Sequence, residues 1–409
     1  MTRLLAVLLI LLLAAGGLLI AVVDNKPLVS RSETISPIAV AQARWLFSSN
    51  DPRRLQAGEA RRTAIPAALI DEGINYIASR FLRGRGSLAL AEDAAEIRLS
   101  LRLPYLPGDH FLNLSGTLRE AKGEPRLAAA HLGALPVPPA LVEFTITHAI
   151  RLAGYEQEWQ LARKAITSLE FDPQHQRVTV AYVWEPALLD RARNFAVNPQ
   201  DIARIRSAHE ALAALLDHKA PGSRLALPEV LKSLLNVGGE DQAQNRRAVL
   251  LALAAYLSEK NLAHVIPEAQ NWPRIRPVML TLHGRYDSAQ HFAISSALAA
   301  WAGEPIADAI GVYKEMLDSR HGSGFSFADL AADRSGTRFG EQLTRHPERI
   351  DRLLTSGFSD QDIAPALNDL PEYLSEREFQ RRFGGPGKPA YQQMLDEIER
   401  RLNKIPLYE

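Results

Sequence analysis

Glu96-Ile97-Arg98-Leu99-Ser100-Leu101-Arg102-Leu103 alternates polar and apolar side chains without interruption. Successive side chains on a strand point to opposite faces, so a period of two puts Ile97, Leu99, Leu101 and Leu103 on one side. Arg98, Ser100 and Arg102 take the other, and a sheet with one wet face is most simply antiparallel. The neighbouring segments fit that reading. His110–Leu118 and Arg126–Leu132 have the composition of two further strands, separated by Lys122-Gly123-Glu124-Pro125. Leu135-Pro136-Val137-Pro138-Pro139 stops the sheet and starts a helix from Ala140 toward Tyr155. Ala165–Phe171 and Arg177–Trp184 then flank the turn Asp172-Pro173-Gln174-His175 as a hairpin. Upstream, Pro37–Phe47 and Ala64–Leu82 have helical spacing, and Ile65, Leu69, Gly73, Ile77 and Phe81 form a stripe suited to packing on a sheet. Residues 30–195 are expected to be an α+β domain with an antiparallel sheet.

From Asn198 onward the period changes to that of helices. Asn198-Pro199 is a cap and first-turn pair for a helix reaching about His218, and Pro221-Gly222 breaks it. Asp241–Lys260 carries Val249, Leu250, Leu253, Ala254 and Leu257 on one face. Pro267, Pro273 and Pro277 punctuate a linker-like stretch around Trp272. Residues 198–270 are read as a helical connecting region and 280–409 as a helical domain with its tail. That tail, from Arg345, consists of short helices, with Gly384-Gly385-Pro386-Gly387 as the loop before the last one.

The chain has 409 residues, 47 basic and 47 acidic side chains and no cysteine. Its length suits two or three domains. Zero net charge gives no global attraction to nucleic acid, which is not an expected partner. The lack of cysteine excludes disulfides, thiolate zinc sites, cysteine nucleophiles and amino-terminal lipoprotein acylation. Leu4–Val23 carries no charge. As a helix it would span about 30 Å, the thickness of a bilayer's hydrocarbon core. One reading is a cleaved signal peptide, with Arg3 as its basic end and Ala14-Ala15-Gly16 near the cleavage point. The other is an uncleaved anchor over residues 1–25, which the continuation through Leu18, Leu19, Ile20, Val22 and Val23 favours. A single-pass topology with the bulk of the chain on the exported side follows.

Residues 283–341 hold the chemistry-bearing side chains. Helical spacing puts Asp287, His291 and Ser295 on one stripe, and Asp308, Gly311, Glu315 and Asp318 on a second with Lys314 beside it. Ser326 has the place of an N-cap before a third stripe of Asp329, Asp333, Gly336 and Gly340. Each feature has a structural explanation: a capping-box variant in Ser326 and Asp329, an ion pair of Lys314 with Asp318, and close helix packing at Ala332, Gly336 and Gly340. Gly322-Ser323-Gly324 either joins two helices or cradles an anion. If the three helices converge, His291, Glu315, Asp318, Asp329 and Asp333 could hold a divalent metal. Without one they make a polar network that locks the helices together. No H-E-x-x-H, Walker A or G-x-S-x-G motif is present.

Asp287-x-x-x-His291-Phe292-x-x-Ser295, Gly311-x-x-Lys314-Glu315-x-x-Asp318, Gly322-Ser323-Gly324-x-Ser326-x-x-Asp329-x-x-x-Asp333 and Gly336 together resemble the YfiM-like family of bacterial envelope lipoproteins. The same order of residues is loosely similar to VanZ-type membrane proteins. The order of helices, strands and a G-x-Leu-Pro-Val-Pro connection in the first half faintly resembles anchored envelope proteins of the YpmS type, related to lipid-handling domains. The chain departs from the lipoprotein pattern in having no acylatable cysteine, so attachment falls to Leu4–Val23. Anchor and resemblances together imply a bacterial inner-membrane protein with its bulk in the periplasm, binding lipid or another envelope protein. They bring no established catalytic mechanism. The alternative is a metal-dependent envelope hydrolase using the His/Asp/Glu cluster, and a divalent metal is the one cofactor the cluster suggests.

Overall fold

The computed structural model describes residues 22–50, 55–104, 108–121, 124–187, 199–236, 241–259, 262–264 and 266–409. The chain forms two compact units, Met1–Ala192 and Arg193–Glu409.

The first unit begins with β1 (Val23–Asp24), α1 (Pro37–Ser49), β2 (Ala60–Pro66) and α2 (Ala67–Leu82). It continues through β3 (Gly84–Ala91), β4 (Ala94–Arg102), β5 (Phe111–Ala121), β6 (Glu124–Leu132) and β7 (Leu135–Pro136). Then come α3 (Pro139–Leu152), α4 (Glu156–Ala165), β8 (Ile166–Asp172) and β9 (Arg177–Val183). The alternating stretch is β4, antiparallel to β3 on one side and β5 on the other, with Leu99 opposite Leu114 and Leu101 opposite Leu112. The main sheet runs β3-β4-β5-β6-β7, with β1 also pairing β5, and a second antiparallel sheet runs β2-β9-β8.

Four details depart from the sequence reading. The stripe expected to pack on a sheet faces outward instead: Ile77 and Phe81 are exposed, and α2 buries Ala67, Asn75 and Ala78. Ala64–Pro66 is strand rather than helix: Ile65 lies opposite Val178, and Pro66 stands where α2 begins. β3 follows α2 after a left-handed Arg83, and α4 is a separate short helix before the hairpin. Val23 and Asp24, placed by sequence at the end of the anchor, are instead hydrogen-bonded opposite Leu112 and Phe111. The remainder of that run, through residue 21, lies outside the described residues. Among the described residues no helix is long and apolar enough to cross a membrane.

A saturated asparagine fixes this junction. Asn113 donates from Nδ2 to Asp24 Oδ2 (2.8 Å) and the Lys26 carbonyl (3.0 Å). It accepts at Oδ1 from the Leu28 N–H (3.0 Å) and the Ser100 hydroxyl (2.7 Å). The Val29 N–H completes the link by donating to Ser100 Oγ at 2.9 Å. Every donor and acceptor position of this buried amide is used, so the segment after the apolar run is stitched to the sheet. Asn113-Leu114-Ser115 reads as a glycosylation sequon, yet its amide nitrogen is fully engaged.

The second unit contains α5 (Pro199–Asp217), β10 (Arg224–Ala226), α6 (Leu227–Leu235), α7 (Gln242–Leu257) and β11 (Met279–Thr281), which pairs parallel to β10. Then follow α8 (Tyr286–Ala302), α9 (Glu304–His321), α10 (Phe327–Arg345), α11 (Pro347–Ser356), α12 (Asp360–Ile363), α13 (Glu376–Phe383) and α14 (Pro389–Leu402). A single hydrophobic core extends from Ile205 to Tyr408, so residues 198–270 share the core of 280–409 rather than connecting to it. The linker-like stretch is also part of that core, with Trp272 buried 5.3 Å from the His209 ring. α8 and α10 approach closely because α10 presents glycine at the contact. A Cβ on Gly336 would stand 2.2 Å from the Phe292 carbonyl oxygen, and one on Gly340 would stand 2.2 Å from that of Ser296.

Candidate functional site

The polar cluster lies where α8, α9 and the start of α10 meet. Ser326 caps α10, its Oγ accepting from the Asp329 N–H at 3.0 Å, while its own N–H donates to Glu315 Oε2 at 3.0 Å. The preceding loop is clamped from behind. Phe325 exchanges backbone hydrogen bonds with Leu374 (2.7 and 2.9 Å), and the Phe325 ring stacks on Phe379 at 4.0 Å. Gly322 and Gly324 spend their N–H groups on the Asp318 carbonyl (2.9 and 3.0 Å). The glycine loop therefore joins helices, with those two amides unavailable to an anion.

Asp333 orients His291. Its Oδ2 lies 3.0 Å from His291 Nδ1, and its Oδ1 accepts from the Ser295 hydroxyl at 2.7 Å. Gly311 makes room for this carboxylate, since a Cβ there would sit 3.0 Å from Asp333 Oδ2. With Nδ1 so engaged, Nε2 faces the centre of the cluster. It stands 3.2 Å from Lys314 Nζ and 3.6 Å from Asp329 Oδ2. Lys314 Nζ also reaches Asp318 Oδ2 at 3.0 Å and lies 3.7 Å from Glu315 Oε1.

Glu315 is 1% exposed, and its Oε1 has no hydrogen-bond partner. Burial pushes its carboxyl up to about 8, helped by the Asp333 and Asp329 carboxylates and opposed by His291 and Lys314. Burial also raises Asp329, against the pull of His291. For His291, burial disfavours the imidazolium, but the Asp333 and Asp329 carboxylates outweigh it and raise the ring to about 9. The Lys314 contact makes the opposite demand. An ammonium can donate to Nε2 only when the ring is neutral with its proton on Nδ1. Protonating the ring obliges Lys314 to leave Nε2, and Asp318 is already within reach. The Asp333–His291 geometry stands in either state.

The structure thus brings together His291, Lys314, Glu315, Asp329 and Asp333, with Ser326 behind Glu315. Asp287 is drawn to the edge by Arg285, whose Nη2 lies 2.9 Å from Asp287 Oδ2 and which also pairs with Glu372. Asp318 serves as the outer partner of Lys314. One ligand atom each from His291, Glu315 and Asp329 lies within 4.8 Å of the others, a group that could hold a metal. Beside it is a small pocket lined in part by Gln290, His291, Ser295, Gly311, Lys314 and Asp333. Sequence spacing did not single out Arg285, which also lies 3.9 Å from Asp329 Oδ1. Its only sequence signal is a cation two positions before Asp287, and position i+2 on a helix is not a facing position.

The first unit exposes more of its large apolar side chains. Ile38, Trp45 and Phe47 on α1, Ile77, Phe81 and Leu82 on α2, and Leu141, Phe144 and Leu152 on α3 are all exposed. Phe47 is 72% exposed and Leu152 87%. In the second unit Met279 and Tyr373 are the exposed large apolar side chains among the described residues. Concentrations of exposed apolar side chains mark contact surfaces for protein or membrane. Comparison with protein-family profiles, with curated proteins and with solved structures gives no match.

Proposed function

We propose that this protein is a single-pass component of the bacterial inner membrane that works by binding, with its bulk in the periplasm and its first unit resting on lipid. The observation that carries this reading is the set of exposed large apolar side chains on α1, α2 and α3. They belong to the unit whose first strand follows directly on the uncharged Leu4–Val22 run. Exposed apolar side chains of this kind, in a unit preceded in sequence by an uncharged run of bilayer length, suit the interfacial region of a membrane. The faint resemblance of the element order in the first half to YpmS-type envelope proteins, and that of 283–341 to YfiM-like envelope proteins, support the same assignment. The second unit then serves as the ligand- or partner-holding part.

Trp45 supplies the test, because it is 60% exposed on the proposed contact face. The full chain is reconstituted in phosphatidylcholine vesicles with brominated acyl chains, and tryptophan emission is compared with Trp45→Phe. The reading expects strong quenching in the wild type and loss of most of it in the variant. Equal quenching in the two proteins would overturn the lipid contact, and recovery of the intact chain in the soluble fraction of cells would overturn the tether. A second reading, the metal-dependent envelope hydrolase, is favoured by the Asp333–His291 pair in the lining of the pocket. It requires the cluster to hold a metal.

A further inference from the structure

We propose that His291 Nε2, Glu315 and Asp329 form a site for a first-row divalent cation, and that the Lys314 ammonium takes that place whenever no such cation is bound. The ligand atoms are gathered within 4.8 Å of one another. Around an ion with ligands at about 2.0–2.2 Å, donor atoms stand about 3.4 Å apart, so a small side-chain contraction completes the set.

Glu315 points most strongly to a missing ligand. It is buried to 1% exposure on α9, its Oε2 is held by the Ser326 N–H, and its Oε1 faces the cluster without a hydrogen bond. A buried carboxylate oxygen with a cation 3.7 Å away and no hydrogen bond is under-satisfied in a structural network and is open to a cation that approaches more closely. Asp329 turns Oδ2 toward the centre, 3.6 Å from His291 Nε2, while its other oxygen, Oδ1, lies 3.9 Å from Arg285 Nη2. His291 is prepared in the usual manner of metal-binding histidines, with one ring nitrogen held by a carboxylate and the other directed at the centre. Asp333 is therefore an orienting residue for the site and Asp318 an outer partner. The mixture of one imidazole and two carboxylates suits manganese, iron or zinc better than calcium or magnesium, which favour all-oxygen shells.

Lys314 makes the site switchable. Its Nζ sits 3.2 Å from His291 Nε2 and 3.7 Å from Glu315 Oε1, so it supplies positive charge where the ion would. Its side chain is 47% exposed and already reaches Asp318, which gives the ammonium somewhere to go when a cation enters. A cation must displace it, so Lys314 sets the affinity of the site.

The test uses the full chain, stripped with chelator, and titrates Zn2+ and Mn2+ by calorimetry with elemental analysis of the dialysed product. One equivalent is expected in the wild type. Lys314→Met is expected to bind at least tenfold more tightly, and Glu315→Gln at least tenfold more weakly. Asp333→Asn is expected to weaken binding by about 10–100-fold, the usual effect of removing an outer-shell partner. Co2+ gives a readout independent of stability, because its visible absorption changes when imidazole and carboxylates replace water, and this change is expected to vanish in His291→Ala. Lys314 is half exposed, so Lys314→Met remains informative should the buried variants fail to fold. Absence of stoichiometric metal in both the wild type and Lys314→Met would overturn the proposal. Equal affinity in those two proteins would overturn the displacement by Lys314.

Discussion

The two units bury different things. In the second, the fully buried side chains include Phe292, Phe325, Phe327, Phe339 and Phe379, and the core around them also encloses Arg246 and Glu315. In the first, the buried apolar residues among those described are alanines apart from Val29 and Val178, while Trp45, Phe47, Phe81, Phe144 and Leu152 face outward. Hydrophobic stabilisation scales with the apolar area removed from water, at about 25 cal/mol per Å2. The second unit thus carries its own stabilising core and can hold charged groups inside it. The first depends on hydrogen-bonded sheets and the Asn113 network, and its large apolar side chains remain available to another apolar medium.

The sharpest way to break this contrast is to truncate one phenylalanine in each unit. Phe327→Ala is expected to destabilise the second unit by about 3–5 kcal/mol. Phe47→Ala is expected to change the stability of the first by no more than about 0.5 kcal/mol, as for an ordinary surface position. Urea unfolding resolved by hydrogen exchange reads both, and equal losses would erase the distinction. Next, Gly336→Ala forces a Cβ against the Phe292 carbonyl and is expected to cost about 1–3 kcal/mol through overpacking between α8 and α10. In the first unit Asn113→Ala leaves the Leu28 N–H without its acceptor. Each buried group left unpaired costs about 1–3 kcal/mol, and exchange at the Leu28 amide is expected to accelerate while the second unit is untouched.

The second unit also carries a pH dependence that its buried carboxyls set. Burial raises Glu304 to about 7, with Glu341 adding to it and Arg345 and Arg338 opposing. Burial likewise raises Asp308 to about 6 against the attraction of Arg334, with Glu304 and Glu399 adding to the rise. The folded unit holds both protons more tightly than the unfolded chain does, so their stabilisation is complete below about pH 4. It is lost as pH rises through 6 and 7. The denaturation midpoint of the second unit is expected to fall between pH 5 and 8, and a rise over that window would contradict the assignment.

Much of this was legible where the sequence itself keeps one period, even though in β4 it is Ser100 on the polar face that is buried and Ile97, Leu99 and Leu101 are half-buried. β4 could be read because one face is apolar and the other polar, and the helices bearing the cluster because their polar residues recur every four positions. β3 was hidden by its composition, since Gly84, Gly86, Ala89 and Ala91 blur the alternation. β2 was hidden because Ile65 falls in phase with the helical stripe that follows it. β10 and β11 are three-residue parallel strands, too short to show a period. Within the cluster, spacing identified which side chains share a face, but only tertiary packing decides that Asp333 takes Nδ1 of His291 and that Arg285 draws off Asp287.

The central claim is that the exposed apolar side chains of the first unit face lipid while the second unit stays in water. The absence of cysteine makes it directly measurable. Nitroxide labels are placed one at a time at Phe47→Cys and Leu152→Cys in the first unit and at Tyr373→Cys in the second, with the full chain in nanodiscs. The account predicts that labels at 47 and 152 collide more with oxygen, which concentrates in lipid, than with a water-soluble nickel chelate, and that the label at 373 shows the reverse. Water-like accessibility at all three positions would contradict it.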